Sequence, residues 1–354
     1  MNASQNLDRS RMVDLLRNFP EQVREAVEIG ETFDPPRWSP GSVEKIVFAG
    51  MGGSAIGGDV IRSLASFDFP IPIWVSRHYC LPPFVDSKTL CIFSSYSGNT
   101  EETLSAFQEG MKRKLKAVAI TSGGELARLA GRFGIPSVKI PSGFPPRVAL
   151  GYSVFPVLKV LAALKLWKWD PRAIDETLSL LENLAKKEYG PEVSPVSNPA
   201  KRLAQALWER WGVIYAGTEL LDSAALRFRN QIEENAKAMS SHHLIPEMNH
   251  NEILGWQFPK KLVSKSTAVF LRDREDHARI QLRMRITKDV ILKGGGLVHE
   301  IHSRGKSRLA RLFSVVYEGD WASFYLALLY RIDPTPVAVI ESLKKQLAKV
   351  PLGR

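Results

Sequence analysis

The segment KIVFAGMGGSAIGGD, from Lys45 to Asp59, constrains the fold of this chain more than any other. A β-branched run feeds directly into a glycine-rich turn, and the turn into a stretch with the apolar spacing of a helix, expected to begin at Ile56. A strand that ends in a short loop and returns as a helix is the repeating unit of a parallel sheet, because parallel neighbours need a crossover connection. The units that follow keep that alternation. PIPIWVS is followed by LCIFSS running into TEETLSAFQEGMKRK, by KAVAITS running into ELARLAGRFG, and by PSVKI. The pattern predicts an α/β fold with a doubly wound parallel sheet over residues 41–150.

Upstream, Met12, Leu15, Leu16 and Phe19 recur at helical spacing, so residues 1–40 are expected to be helical. Residues 151–200 read as a helical connector ending in the proline- and serine-rich linker EYGPEVSPVSNPA. A second alternating unit is expected over residues 201–332. WGVIYAG with Ser223-Ala224-Ala225 echoes KIVFAG with Ser54-Ala55, and STAVFLRD stands where LCIFSSYS stood. The self-similarity predicts two doubly wound sheets of flavodoxin-like type, the second lacking the glycine-rich and serine-rich loops, so the chemistry is expected to be asymmetric. A final helix, VAVIESLKKQLAKV, follows Asp333-Pro334-Thr335-Pro336 within residues 333–354.

With 354 residues, 44% hydrophobic and 24% charged, the chain has the composition of an ordinary globular protein and enough length for a sizeable core. Its two cysteines, Cys80 and Cys91, cannot build a disulfide framework and lack metal-ligand spacing. A reducing, cytoplasmic setting is expected, with an uncleaved start, since Asp8 and two arginines interrupt the place of a signal peptide's apolar segment. The apolar stretches 148–167 and 314–330 are broken by charges and are too polar to span a bilayer. The formal net charge of +11 suits an anionic partner. The densest basic runs, Lys112–Lys116 and Arg304–Arg311, have no interleaved aromatics, so they read as solvated faces, with no nucleic-acid or membrane partner.

Chemistry is expected where the strands end. Gly52 and Gly53 leave room for an anion to approach the backbone, Ser54 adds a hydroxyl, and the helix N-terminus contributes N–H groups and partial positive charge. The third strand ends in SSYSGNTEET, which places Ser95, Ser97 and Thr100 around Gly98 at the same edge, the ligand-binding edge of open α/β sheets. Hydroxyls and amides can surround three phosphate oxygens there without a metal. The plainer reading is a helix N-cap by Ser97 or Thr100. With no Walker lysine nearby, a phosphomonoester fits better than a nucleoside triphosphate. The glycine loop also partly fits a dinucleotide fingerprint, but Val75-Ser76-Arg77 offers no ribose-binding carboxylate and at best a cation for a 2′-phosphate. His242, His243, His250 and Glu247 match no standard metal pattern, so no metal and no cofactor are expected.

The G-x-G-G-S loop together with S-Y-S-G-N-T-x-E-T resembles the sugar isomerase (SIS) domain family, whose serine-rich loops hold the phosphate of phosphosugars. NQIEENAKAM at 230–239, PEMNHNEILGW at 246–256 and DPTPVAVIESLKKQL at 333–347 extend the resemblance to its bifunctional phosphoglucose/phosphomannose isomerases. It implies two tandem SIS domains, phosphosugar substrates, and isomerisation between aldose and ketose phosphates. Such a reaction moves a proton between C1 and C2 and needs a base plus positive charge near the developing oxyanion. The family's E-N-A-K pattern maps the base onto Glu234; in a regular helix Glu233 would then point about 100° away, out of the site.

The resemblance further implies that His250 opens the sugar ring and reaches the site of a neighbouring subunit, making a homodimer. It gives Arg147 the enediolate charge, and Thr335 the space for rotation about C2–C3 that admits mannose 6-phosphate. Without the resemblance, Glu234 reads as a surface acid, His250 as a structural histidine, Arg147 as a surface ion pair and Thr335 as a turn residue. Lys344 or Lys345 is expected near the sugar, the spacing not deciding which. A non-catalytic phosphosugar regulator and an NADP-dependent oxidoreductase using Arg77 are the alternatives.

Overall fold

The computed structural model describes residues 7–39, 41–66 and 68–350; the outer ends of the expected terminal segments, 1–6 and 351–354, lie outside them, as does position 40. Two parallel sheets carry the fold. The first, in the order β2-β1-β3-β4-β5, comprises β1 (Lys45–Ala49), β2 (Ile73–Ser76), β3 (Thr89–Ser95), β4 (Lys116–Thr121) and β5 (Ser137–Lys139). The second, in the order β7-β6-β8-β9, comprises β6 (Trp211–Gly217), β7 (Ser240–Ile245), β8 (Ser266–Arg272) and β9 (Leu297–His302). Both orders run outward from the first strand in two directions, so each sheet has a point between its first and third strands where the connections diverge.

Strands covered on both faces must be apolar on both, and these are. Val47, Ala49, Cys91, Phe93, Ala117 and Ala119 pack outward against the helices Glu101–Lys112 and Gly124–Phe133. Their neighbours Ile46, Phe48, Ile92, Val118 and Ile120 turn inward. In the second sheet Val213, Tyr215, Ala268 and Phe270 face Ile280, Met284 and Ile291 of the helix Ala278–Gly294, while Ile214, Ala216, Val269 and Leu271 face in. The inward faces of both sheets share one core.

That common core is filled by helices from outside the two alternating units. The helix Leu150–Ala163 is buried along nearly its whole length and carries the helix Phe19–Glu31 on its flank, while Met12–Arg17 packs against the helix Arg308–Leu329. The helix Arg308–Leu329 runs through the centre, with Phe313, Tyr317 and Trp321 completely buried. Its Glu318 accepts a hydrogen bond from the Tyr189 hydroxyl at 3.0 Å, and its Asp320 is held by Arg227, so the charges that break this apolar stretch are internal and paired.

Several expectations need correction. The first helix of the glycine loop begins at Gly52, so Gly52 and Gly53 form its first turn instead of preceding it. The segment Glu188 to Ala200 is no free linker. Tyr189 and Asn198 are fully buried, Asn198 caps the helix Pro199–Leu207, and the Tyr325 hydroxyl bonds the Tyr189 carbonyl. The run Arg304–Arg311 is not a solvated face either. Arg311 is buried between Asp273 and Glu275, Arg304 grips Glu188 and Arg308 pairs with Asp68, because each finds a carboxylate from a distant element. No helix among the described residues is long and apolar enough to cross a membrane.

Candidate active site

The loops after β1 and β3 emerge side by side at the divergence point of the first sheet. The helix Gly52–Ala65 starts there with no side-chain cap and no acidic residue in its first turn, which leaves its N-terminal N–H groups and partial positive charge available to an anion. Ser54 stitches the two loops together: its Oγ accepts the Tyr96 N–H at 2.9 Å and keeps its own proton to donate. In the second loop the buried Ser95 donates to Thr100 Oγ1 at 2.9 Å, and Ser97 Oγ accepts the Asn99 N–H at 3.2 Å. Thr100 stands at the N-cap of the helix Glu101–Lys112, yet its side chain makes no capping bond, nor does Ser97 cap that helix. The loop closes tightly at Gly98 (φ +70°), where a Cβ would lie 1.8 Å from the Gly123 carbonyl oxygen.

The glycine loop also touches the opposite wall. A Cβ on Gly53 would stand 2.7 Å from the Pro146 carbonyl oxygen, so the bare backbone lets Pro146 and Arg147 approach. Arg147 is 4% exposed, which removes the surface ion-pair reading. Its Nε donates to Asn235 Oδ1 at 2.6 Å, and its Nη2 donates to the carbonyl oxygens of Pro334 and Thr335 at 2.7 and 2.8 Å. Nη1 faces Glu234 Oε2 at 3.7 Å. Burial pulls the Arg147 pKa down, against the opposing pull of Glu234 and Asp333. Behind it, Arg227 donates to the Arg147 carbonyl oxygen at 2.8 Å and doubly to Asp320, while Asn235 donates to Ser323 of the central helix at 2.9 Å. The guanidinium is fixed from three sides with one nitrogen left toward Glu234.

Glu234 sits in a widened, π-helical turn, Ile232–Ala236, that ends the helix Asp222–Gln231. Such turns change which residues share a face. Glu233 and Glu234 therefore both line one cavity of about 820 Å³, contrary to the expectation that only one could. Gly52 from the first loop, Lys237, Met239 and the segment Pro336–Ile340 complete its walls. Burial raises the Glu233 pKa, with Arg229 at 3.9 Å opposing it.

Thr335 reaches this centre through its carbonyl oxygen, and its Oγ1 is buried with no hydrogen-bond partner. The structure brings Gly52, Gly53, Arg147, Glu234 and Thr335 together; Ser54 links them to the Ser95–Thr100 loop. His250 is not among them. It is exposed on the turn Glu247–His250 beyond the carboxyl end of β7 and does not line the cavity of its own chain. Lys344 and Lys345 lie on the helix Ala338–Leu347, which buries no residue. Arg77 is committed to the buried Asp59, so it does not stand free for a 2′-phosphate. His243 pairs with Glu252 at 3.0 Å, and burial pushes the His242 pKa down to about 4. Lys237 and Asn235 were missed from sequence, although both stand inside the N-A-K pattern next to the base.

Over 339 residues the chain is 44% identical to the bifunctional phosphoglucose/phosphomannose isomerase of Caldicellulosiruptor bescii, covering 96% of this chain and 99% of the relative. The chain belongs to the bifunctional phosphoglucose/phosphomannose isomerase family. The relative of that name in Aquifex aeolicus is 38% identical over 86% of this chain and 90% of its own. The D-glucosamine-6-phosphate 4-epimerase of Sulfolobus acidocaldarius is 32% identical over 60% of this chain and 64% of its own. The model of the bacterial phospho-glucose isomerase C-terminal SIS domain matches residues 196–347, the span of the second sheet. A glucose-6-phosphate isomerase-like protein of Thermus thermophilus shares the fold with TM-score 0.64 at 17% identity, over 98% of both chains. The two parallel sheets of this chain are consistent with two SIS domains, the second being the one that the family model matches.

Proposed function

We propose that this chain interconverts glucose 6-phosphate, fructose 6-phosphate and mannose 6-phosphate through a cis-enediol, without a metal. The observation that carries the reading is the pairing of Glu234 with a buried, immobilised guanidinium on a cavity whose far wall is the uncapped N-terminus at Gly52. The phosphate is bound by N–H groups of Gly52 and Gly53 and the hydroxyls of Ser54, Ser95, Ser97 and Thr100. His250 of each chain reaches the cavity of a second copy and gives its proton to the ring oxygen as the sugar opens. The active form is therefore a homodimer, working in the cytoplasm.

The Glu234 carboxylate then takes the proton from C2 of the open aldose. The C2–H electrons form the C1=C2 double bond, and the negative charge placed on O1 is met by Arg147 Nη1. The O2 hydroxyl proton passes to O1, and Glu234 returns its proton to C1 as C2=O2 forms, giving the ketose. Rotation about C2–C3 beside Thr335 presents the other face of the enediol, so that protonation at C2 yields the epimeric aldose. A carboxylate is suited to both steps because it must accept and release the same proton.

The test is a coupled assay of ketose formation on protein freed of metals by chelation, supplied separately with glucose 6-phosphate and mannose 6-phosphate. We expect fructose 6-phosphate from both. Turnover restored only by an added divalent cation would refute the metal-independent route, and turnover of neither sugar would refute the function.

A further inference from the structure

Lys237 has no place in the relay just described, yet it is the most constrained charged residue on the cavity wall. It closes the widened turn in the left-handed conformation (φ +52°), which residues other than glycine adopt at a cost. Its ammonium donates to the carbonyl oxygens of Asn235, Asp333 and Pro334 at 3.1, 3.0 and 2.9 Å. All three protons are thereby used inside the protein, so it is not poised to hold a ligand. The Pro334 carbonyl oxygen accepts from Arg147 as well. Two cations therefore share one stretch of backbone, and that stretch leads straight to Thr335 and to the helix Ala338–Leu347. The helix buries none of its own residues, so packing within the chain does not locate it.

We propose that Lys237 is a positioning residue for the reaction: its ammonium pins the Asp333–Thr335 segment to the turn that bears Glu234, and so fixes Thr335 and the final helix beside the cavity. The charged groups around it are Arg147, Glu233 and Glu234 on the cavity side and Asp333 on the segment it holds. Across a second cavity, of about 410 Å³, stand Glu209, Arg210 and Lys265. Burial and then Arg147 bring the Lys237 pKa down to about 8, against the pull of Asp333 and Glu234. Loss of that proton weakens the latch, since a neutral amine keeps only two donors and no charge.

The role rests on the isomerase reading, and two measurements on the full chain separate them. The first is kcat and KM for glucose 6-phosphate and mannose 6-phosphate, from two pH units below the Lys237 midpoint to two above, for the wild type, Lys237→Met and Lys237→Arg. We expect an alkaline fall in wild-type kcat centred near pH 8. We expect Lys237→Met to lose about tenfold to a hundredfold in kcat with KM nearly unchanged and no such limb. Lys237→Arg should recover most of kcat and hold it through the alkaline range. A Lys237→Met enzyme with wild-type kcat, or with the same limb, would overturn the role.

The second measurement is amide hydrogen exchange. Lys237→Met should accelerate exchange across residues 335–347 and leave β1, β3 and the central helix protected. Unchanged exchange with intact turnover overturns the latch and leaves the isomerase standing. Faster exchange in Lys237→Met, beside a wild type that turns over neither sugar, supports the latch and refutes the isomerase.

Discussion

The two sheets end in opposite chemistry at equivalent places. Where β1 and β3 finish, a helix begins at Gly52 with no acid in its first turn, and hydroxyls crowd the neighbouring loop. Where β6 and β8 finish, the following helix begins with Asp222, and Asp273, Glu275 and Asp276 follow β8. Asp276 fills the second corner: its carboxylate lies 3.2 Å from where a Cβ of Gly217 would stand. Burial raises its pKa to about 6. Asp222 and Ser223 bond Arg62 and Ser63 of the first unit instead of a ligand. One scaffold thus presents an uncapped helix N-terminus beside hydroxyls in one copy and a carboxylate plug in the other. The second unit contributes to the cavity from elsewhere, through the end of its first helix, where Glu234 stands. Fold position offers a site, and the loop residues decide whether an anion can use it.

The sharpest way to break the comparison is to give the first corner the second one's charge. Ser97 is exposed, so Ser97→Asp adds a carboxylate without disturbing packing. We expect KM for either aldose phosphate to rise about a hundredfold with melting temperature unchanged, since a like charge replaces a donor. An unchanged KM would remove the Ser95–Thr100 loop from the phosphate site. On the side of the chemistry, Thr335→Gln should lower kcat for mannose 6-phosphate about tenfold more than for glucose 6-phosphate, read in parallel coupled assays. Equal losses would sink the rotation argument.

The smallest effect is on stability. The folded Asp276 pKa is raised above the ordinary 3.8, so the ionised group costs stability as pH climbs from there through about 6 and the full cost persists above. Asp276→Asn should therefore stabilise the protein at neutral pH, on the order of 2 kcal/mol by denaturant unfolding, and lose that advantage below pH 4. A variant less stable at neutral pH would mean that the carboxylate is needed there.

The sequence was most informative where one segment carries its own signal. The glycine loop after β1, the serine loop after β3 and the alternation behind them were readable because each uses local backbone needs and a fixed period. β7 was not foreseen: SSHHLI is an edge strand with one neighbour and lacks a β-branched alternation. The Glu233–Glu234 geometry was misjudged because a π-turn leaves no mark in residue order. Arg311 was read as exposed, and Arg147 reads so without the resemblance, because the acceptors that allow their burial, Asp273 and Glu275 for one and Asn235, Pro334 and Thr335 for the other, are distant in sequence. Lys237 was overlooked for the same reason: its partners at 333 and 334 lie almost a hundred residues away.

The proposed reaction depends on Glu234 carrying the proton while the first unit alone holds the phosphate. Fructose 6-phosphate should be incubated in D₂O with the wild type and with Glu234→Gln, and deuterium at C2 of the aldose products read by mass spectrometry, with binding of the ketose followed by calorimetry. We expect deuterium at C2 in the wild-type products, and in Glu234→Gln neither product nor exchange while fructose 6-phosphate still binds. A Glu234→Gln enzyme that forms aldose phosphate at the wild-type rate would contradict it.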